Sequence, residues 1–331
     1  MDGFRKIISK RSPWLLLGTG LAALLAVNGI AWMQARAMTH FVRGGLRTKK
    51  PEKLEPIEKV KVILTGVQIP RPENRRSPQD VGLSYQTHTI ALPEGGRLET
   101  WLIPRERSRG AIVMFPAHAG SKDSLLGQAV VFHSLGYETM LVDFQGTGGS
   151  TGSHSTIGYR EAREVALSVK FLEEIRPDRP IVLYGVSMGA AAVMRAVAVE
   201  GVTPAAIVLE SPFDSLLNAV RHRFHAMELP AFPAAELMVL WGGVQHGFNG
   251  FAHNPVEYAM EIDCPTLIFQ GEKDPRISMA DVIAISNKLQ GFKQLVSFAD
   301  AGHGSLLAFD APRWQQDLVQ FLETLELNDD N

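Results

Sequence analysis

The chain has 331 residues, of which 45% are hydrophobic and 21% charged, so it is too long for a minimal domain and too apolar to be disordered. Its 33 basic and 35 acidic residues give a formal net charge of −2. The chain therefore lacks the excess of positive charge that binding to nucleic acid requires. The single cysteine, Cys264, excludes an internal disulfide framework and a cysteine-rich zinc site.

The first feature along the chain is an apolar stretch at residues 14–33, which contains no charged side chain. As a helix with a rise of about 1.5 Å per residue, a stretch of this length spans the roughly 30 Å hydrocarbon core of a bilayer. Basic residues and two tryptophans flank it: Arg5, Lys6, Lys10, Arg11, Trp14, Trp32 and Arg36. Residues 1–36 are therefore predicted to be a basic segment and a retained transmembrane signal anchor.

Two other interpretations of this stretch stay open. Residues 35–37, Ala-Arg-Ala, fit the small-x-small pattern of a cleavage site, although cleaved signal peptides usually have apolar regions of about 7–15 residues. A buried core helix is the other alternative, but this stretch is apolar on every face. The positive charges lie closer to its upstream end, which favours a cytoplasmic N-terminus with the bulk of the chain on the extracytoplasmic side.

Residues 37–80 carry many prolines and charges with little periodicity, which predicts a tether and an irregular lead-in. Over residues 81–327, short apolar segments alternate with helical patterns, which predicts an α/β fold with a mostly parallel sheet and helices on both faces. The predicted strands are 84–92, 97–103, 111–115, 139–144, 181–184, 205–209, 266–269 and 294–298. Residues 212–263 interrupt this alternation, and we expect them to form a cap over a site.

A strand-to-helix turn carries the first candidate catalytic residue. Residues 185–189, Gly-Val-Ser-Met-Gly, follow the fifth predicted strand and precede a helical run of alanines. The G-x-S-x-G pattern forms a sharp turn that projects the serine from the sheet, with glycines where packing leaves no room for a side chain. Ser187 is therefore the predicted nucleophile, and an ordinary glycine-rich turn is the structural alternative.

A serine hydroxyl is a weak nucleophile near neutral pH, so it needs a base and a group that orients the base. In folds with this turn, an acid and then a histidine follow on the loops after later strands. Asp274 follows the seventh predicted strand and His303 the eighth. His303 is therefore the predicted base and Asp274 its orienting acid, with Asp214 and Glu272 as alternative acids.

Two backbone N–H groups are predicted to stabilise the oxyanion that forms when the nucleophile attacks. The first belongs to Met188, the residue after the nucleophile. The second belongs to His118, in the loop after the third predicted strand, and Ala117 is the alternative to it.

These motifs resemble the α/β-hydrolase superfamily, in particular its serine-aminopeptidase-like and small-cap esterase branch, over residues of about 80–325. The similar stretches are the 185–189 turn, the loops at Asp274 and His303, residues 143–150, which look like D-x-R-G-x-G-x-S, and residues 262–266. Pro116 and Ala117 depart from the usual His-Gly, and Gln145 stands where Arg is common. The resemblance implies hydrolysis of an ester, thioester or amide through an acyl-serine intermediate.

The favoured function is a membrane-anchored serine hydrolase that cleaves an ester or thioester of a small-molecule or lipid-like acyl substrate. No cofactor or metal is predicted, because H-E-x-x-H and P-loop motifs are absent and residues 146–152 depart from G-x-G-x-x-G. Removal of residues 1–40 is expected to leave a soluble, active enzyme.

Two other functions remain open. A serine aminopeptidase on the same triad would need an acidic residue for the substrate's α-amine, and Glu228, Glu236 and Glu257 are the candidates. A non-catalytic, membrane-tethered binding module is the second alternative. Residues 221–225 of the cap, Arg-His-Arg-Phe-His, are interpreted as a solvated helix face, with recognition of an anionic substrate or lipid headgroup as the alternative.

Overall fold

The computed structural model describes residues 13–177 and 179–329. Its strands are β1 (Gln86–Ala91), β2 (Arg97–Ile103), β3 (Ala111–Phe115), β4 (Glu138–Val142), β5 (Ile181–Val186), β6 (Ala206–Glu210), β7 (Thr266–Gly271) and β8 (Lys293–Phe298). They form one sheet in the order β1-β2-β4-β3-β5-β6-β7-β8.

The sheet is mostly parallel. β2 runs antiparallel to both of its neighbours, β1 and β4, and all other neighbouring strands are parallel. Every residue of β3, β4, β6 and β7 is buried, because helices cover both faces of the sheet. The predicted fold class is confirmed. The carboxyl ends of the parallel strands meet at one edge, where ligands bind in such sheets.

Helices pack on both faces of the sheet, and further helices form the N-terminal segment and the cap. They are α1 (Pro13–Thr39), α2 (Pro56–Thr65), α3 (Leu126–Ser134), α4 (Glu161–Ile175), α5 (Met188–Glu200), α6 (Leu216–Ala226), α7 (Ala234–His246), α8 (Pro255–Tyr258), α9 (Met279–Lys288), α10 (Leu306–Phe309) and α11 (Ala311–Asp329). One apolar core joins the sheet to α4, α5 and α9, and a second joins its other face to α3, α10 and α11. The insertion between β6 and β7 contains α6, α7 and α8.

The second half of α1 packs against the cap helix α7. Ala31 is 4% exposed in this contact. Trp241 Nε1 on α7 donates a hydrogen bond to Asn28 Oδ1 at 3.1 Å, and Gln245 Nε2 donates to the Trp32 carbonyl at 2.9 Å. This half of the helix is therefore part of the folded domain.

The first half of α1 has a different environment, since residues 17–27 are exposed. Within the described part of the chain, one helical span, Leu17–Thr39, is long and apolar enough to cross a membrane. The basic residues that precede this span, Arg5, Lys6, Lys10 and Arg11, lie outside the described residues. The same is true of the side chain of Trp14.

The lead-in of residues 37–80 contains the helix α2, where the sequence has only a short, mostly apolar run at residues 60–64. Glu55 N–H donates to Glu58 Oε2 at 3.0 Å, which closes a capping box at the start of this helix. At its other end, Gln34 Nε2 on α1 donates to the Ile63 carbonyl at 2.8 Å. The α2 helix therefore packs beside α1 rather than forming a free tether.

Candidate active site

Ser187 lies at the turn between β5 and α5 in a positive-φ conformation, with φ 52° and ψ −108°. A Cβ added at Gly185 would lie 2.6 Å from the Gly189 backbone, and one at Gly189 would overlap the Phe115 carbonyl oxygen. The Ser187 N–H donates to the Glu210 carbonyl on β6 at 2.8 Å. The two glycines of G-x-S-x-G are therefore required by the lack of space around the serine.

Asp274 and His303 meet at the same edge of the sheet, on the loops after β7 and β8. His303 Nδ1 donates to Asp274 Oδ2 at 2.6 Å, and the Asp274 side chain is fully buried. The other carboxylate oxygen accepts the N–H groups of Arg276 at 2.8 Å and Ile277 at 3.1 Å. These bonds fix the carboxylate, which in turn fixes the tautomer and the orientation of the imidazole.

The two alternative acids have other partners. The Asp214 carboxylate accepts the Ser215 N–H at 2.6 Å and the Asn218 side-chain amide at 2.7 Å, beside the start of α6. Glu272 is exposed and accepts a hydrogen bond from Ser297 Oγ. Of the carboxylates within residues 13–177 and 179–329, only that of Asp274 is hydrogen-bonded to His303.

Glu210 at the end of β6 connects the serine turn to the histidine loop. Its carbonyl accepts the Ser187 N–H, and its carboxylate accepts the Leu306 N–H at 3.0 Å just beyond His303. The Tyr184 hydroxyl donates to the other carboxylate oxygen at 2.6 Å. Burial raises the pKa of Glu210, which these hydrogen bonds partly offset. This positioning residue could not be found from the sequence, because a glutamate that ends a strand carries no motif.

The two residues predicted for the oxyanion site lie on different elements. Met188 begins α5, so its N–H is in the first turn, where backbone N–H groups have no intrahelical acceptor. His118 lies in the loop after β3, and both residues line the same cavity as Ser187. The His118 ring packs on Phe41, with 5.8 Å between ring centroids. Burial, together with nearby arginines, lowers the pKa of His118 to about 3, so its ring is neutral.

A buried ion pair supports the loop after β3, which contains His118. Lys122 is fully buried, bonded to the Asp143 carboxylate, and 2.8 Å from Glu99 Oε1. Its backbone N–H also donates to Asp143 Oδ1 at 2.7 Å. A Cβ at Gly148 or Gly149 would overlap the Asp143 or Glu99 carboxylate, respectively. The glycine run after β4 therefore has a structural role, which is to let the backbone approach this ion pair closely.

A cavity of about 820 Å³ connects Ser187 and His303 to the N-terminal helix. Its wall also includes residues of α2 and of the cap helices α6 and α7. The residues that α1 contributes are mostly apolar: Val27, Ile30, Ala31, Gln34, Ala35, Met38 and Thr39. The catalytic edge of the sheet and the apolar N-terminal helix therefore face one space.

Comparison with known proteins gives the family. A sequence profile described as "Alpha/beta hydrolase family" matches residues 112–315, which is more than half of the chain. The chain belongs to the alpha/beta hydrolase family. The prediction of this family from the motifs is confirmed, as is the prediction that the chain is a hydrolase.

Several relatives of this alpha/beta hydrolase are known. It is 26% identical to lysophosphatidylserine lipase ABHD12 of Mus musculus over 295 residues, which cover 79% of this chain and 73% of that protein. With the same lipase of Danio rerio it shares 23% identity, over 79% of this chain and 76% of that protein. A crystal structure of the Pyrococcus furiosus esterase Pf2001 is similar with a TM-score of 0.66 and 21% identity, over 77% of this chain and 96% of that chain, which supports the fold.

The glutamates proposed for an aminopeptidase lie away from the cavity of this hydrolase. Glu228 pairs with Lys59 at 3.0 Å, Glu236 pairs with Arg221 at 2.6 Å, and Glu257 is exposed. Within residues 13–177 and 179–329, no aspartate or glutamate lines the cavity. The described residues also contain no group of three His, Cys, Asp or Glu side chains that could hold a metal ion. Among the described residues, the cavity wall thus provides no carboxylate for the α-amine of a peptide substrate.

Proposed function

We propose that this alpha/beta hydrolase is a membrane-anchored serine hydrolase that cleaves the acyl ester of a single-chain lipid. The observation that carries the proposal is the shared cavity: Ser187 and His303, the latter hydrogen-bonded to Asp274, lie at one part of its wall, and the apolar helix α1 forms another part. The cavity volume of about 820 Å³ falls within the roughly 300–1,000 Å³ typical of small-molecule sites.

The proposed reaction follows from the positions of three side chains. His303 accepts the proton of Ser187 Oγ as this oxygen attacks the ester carbonyl carbon, and Asp274 stabilises the imidazolium. The N–H groups of Met188 and His118 donate to the oxyanion, and the imidazolium then gives its proton to the departing alcohol. Water, deprotonated by His303, hydrolyses the acyl-serine and releases the carboxylic acid.

The substrate class is inferred from the cavity wall and from the relatives. The lining side chains from α1, α2 and α7 are largely apolar, which suits an acyl chain. The relatives named lysophosphatidylserine lipase act, by their name, on a lipid with one acyl chain. We therefore favour an ester of a single long acyl chain over a short, polar ester.

The same proposal assigns the N-terminal segment to a membrane. We propose that residues 1–36 anchor the protein through the apolar stretch 14–33, whose exposed first half enters the bilayer while its second half packs on α7, and that residues 37–80 lead into the hydrolase domain of residues 81–327 with its cap at about 212–263. The excess of positive charge near the start of the chain favours an extracytoplasmic catalytic domain. The exposed apolar residues 17–27 of α1 and the 77% exposed side chain of Phe232 on the cap support contact with lipid.

The proposal is tested by removing the nucleophile. Ser187→Ala should abolish covalent labelling by a fluorophosphonate probe and the release of oleic acid from 1-oleoylglycerol in detergent micelles. Ser134→Ala, at the exposed end of α3, is the matched control and should retain both. Labelling or hydrolysis that survives Ser187→Ala would overturn the assignment.

A further inference from the structure

Basic side chains collect in the wall of the active-site cavity. The lining contains three arginines and two lysines: Arg47, Lys49, Lys50, Arg223 and Arg276. Of the described residues, no acidic one contributes to this wall. Because the charge balance of the whole chain is slightly negative, this concentration of positive charge is a local feature of the site.

The three arginines come from distant parts of the sequence. Arg47 lies in the lead-in and donates to the Ala119 carbonyl, in the loop predicted to stabilise the oxyanion, at 3.1 Å. Arg276 lies two residues after Asp274, and its guanidinium pairs with Glu52 at 3.1 Å. Arg223 lies on the cap helix α6. The fold therefore brings them together around the predicted catalytic residues.

Arg223 has the most unusual environment of the three. It is half-buried, and the surface that it retains contributes to the cavity wall. Within the described part of the chain, its guanidinium has neither a hydrogen-bond acceptor nor an ion-pair partner. The Arg276 Nε is likewise buried and without an acceptor among the described atoms. Guanidinium groups shielded from water normally have hydrogen-bond acceptors, and an anionic ligand in the cavity would supply one.

Electrostatics agree with this interpretation. Burial, followed by the repulsion of Arg276 and Arg47, lowers the pKa of Arg223 to about 10, and Glu52 offsets only part of this effect. Arg223 thus remains charged at neutral pH. Three guanidinium charges against the single carboxylate of Glu52 leave two positive charges, which matches the charge of about −1.5 to −2 of a phosphate monoester at pH 7.

We propose that Arg223, Arg47 and Arg276 bind the phosphate-bearing headgroup of the lipid whose ester carbonyl reaches Ser187. This inference rests on the proposed function and adds the charge of the substrate to it. Guanidinium groups suit phosphate because their N–H donors form paired, charge-assisted hydrogen bonds. A cavity wall that is apolar along α1 and basic at these arginines fits an amphiphile with one acyl chain and an anionic headgroup.

The neighbours of Arg223 on α6 do not belong to this site. Arg221 pairs with Glu236 at 2.6 Å, and His222 Nε2 donates a hydrogen bond to Asp281 Oδ2 at 2.8 Å. The basic residues of 221–225 are therefore divided: Arg223 lies in the cavity wall, and the others are paired elsewhere or exposed. Arg221 consequently provides a matched control two positions away on the same helix.

The test compares two esters with the same acyl chain, 1-oleoyl lysophosphatidic acid and 1-oleoylglycerol, in the same detergent micelles with the full-length protein. We expect wild-type protein to prefer the phosphate lipid. Arg223→Gln should lower kcat/KM for the phosphate lipid by ~10-fold or more through KM, because charge-assisted hydrogen bonds are lost. It should change kcat/KM for the neutral lipid much less, and Arg221→Gln should change neither.

If Arg223→Gln does not fold, Arg223→Lys keeps the positive charge but removes the paired guanidinium donors, and it provides the same comparison. Equal loss on both lipids, or no loss on either, would overturn the headgroup site, whereas the proposed function stands as long as the wild-type protein hydrolyses 1-oleoylglycerol. Wild-type protein that hydrolyses neither lipid and resists the fluorophosphonate probe would instead overturn the proposed function.

Free sn-glycerol 3-phosphate distinguishes a lipid headgroup from a soluble phosphate. Weak inhibition of 1-oleoylglycerol hydrolysis, together with a preference for the phosphate lipid, supports the headgroup. Strong inhibition without any preference between the two lipids would identify a site for a soluble phosphate and contradict the proposal.

Discussion

At the scale of single residues, the predicted nucleophile Ser187 has a strained backbone. The positive φ of a non-glycine residue destabilises the folded state by about 1–3 kcal/mol, and the surrounding contacts must offset this free energy. The Ser187 N–H donates to Glu210, whose carboxylate also holds the loop after His303. The same glutamate therefore stabilises the strained serine and positions the loop of the predicted base.

The acid is predicted to be Asp274 rather than Asp214. Asp274→Asn should lower kcat by ~10³–10⁴-fold, because the amide no longer holds the His303 tautomer that accepts a proton. Asp214→Asn is the control, and it should leave kcat near the wild-type value, since its carboxylate bonds Ser215 and Asn218. The measurement is steady-state hydrolysis of 1-oleoylglycerol, and a greater loss in the Asp214 variant would assign the acid to that residue.

At the scale of elements, local signals and long-range contacts differ in what the sequence can predict. The strands and the serine turn were predictable because alternating apolar segments and the 185–189 motif depend on neighbouring residues. The role of α1 in the cavity was not predictable, because it depends on pairs such as Gln34 with Ile63 and Trp241 with Asn28. Arg47 and Arg276 carry no motif either, and only the fold brings them to Arg223.

The structure changes the expectation for removal of residues 1–40. A chain that begins at Val27 keeps the half of α1 that packs on α7, whereas one that begins at Phe41 loses it. Burial of apolar surface contributes about 25 cal/mol per Å², so we expect the shorter chain to have a lower Tm and little activity. Tm and hydrolysis of 1-oleoylglycerol measure the difference. Equal values for the two chains would show that α1 is dispensable for the cap.

At the scale of the whole molecule, buried neutral histidines link stability to pH. His253 is fully buried between the Tyr258 hydroxyl and the Ile157 carbonyl, at 3.1 and 3.0 Å. Burial lowers the pKa of His253 to about 4. His118 and His246 are shifted in the same direction, to about 3 and about 4.

Below the ordinary histidine pKa of about 6.5 the unfolded chain therefore binds more protons than the folded one, so the free energy of unfolding falls as the pH decreases toward about 4. For His253 alone, this effect amounts to as much as about 3 kcal/mol. Tm measured between pH 7.5 and 4.5 should decrease, and His253→Gln should reduce the slope. His225→Gln, at an exposed position, should leave the slope unchanged, and a slope unaffected by the His253 change would contradict the assignment.

The shared wall of α1 and the cavity has a kinetic consequence under the proposed function. A helix that stays in the bilayer exposes the site to molecules that diffuse in two dimensions along the same leaflet. The quantity that sets the rate is then the mole fraction of substrate in the membrane, not its amount per volume of solution. Inert lipid added to the bilayer slows such an enzyme by surface dilution, even when every substrate molecule is still present.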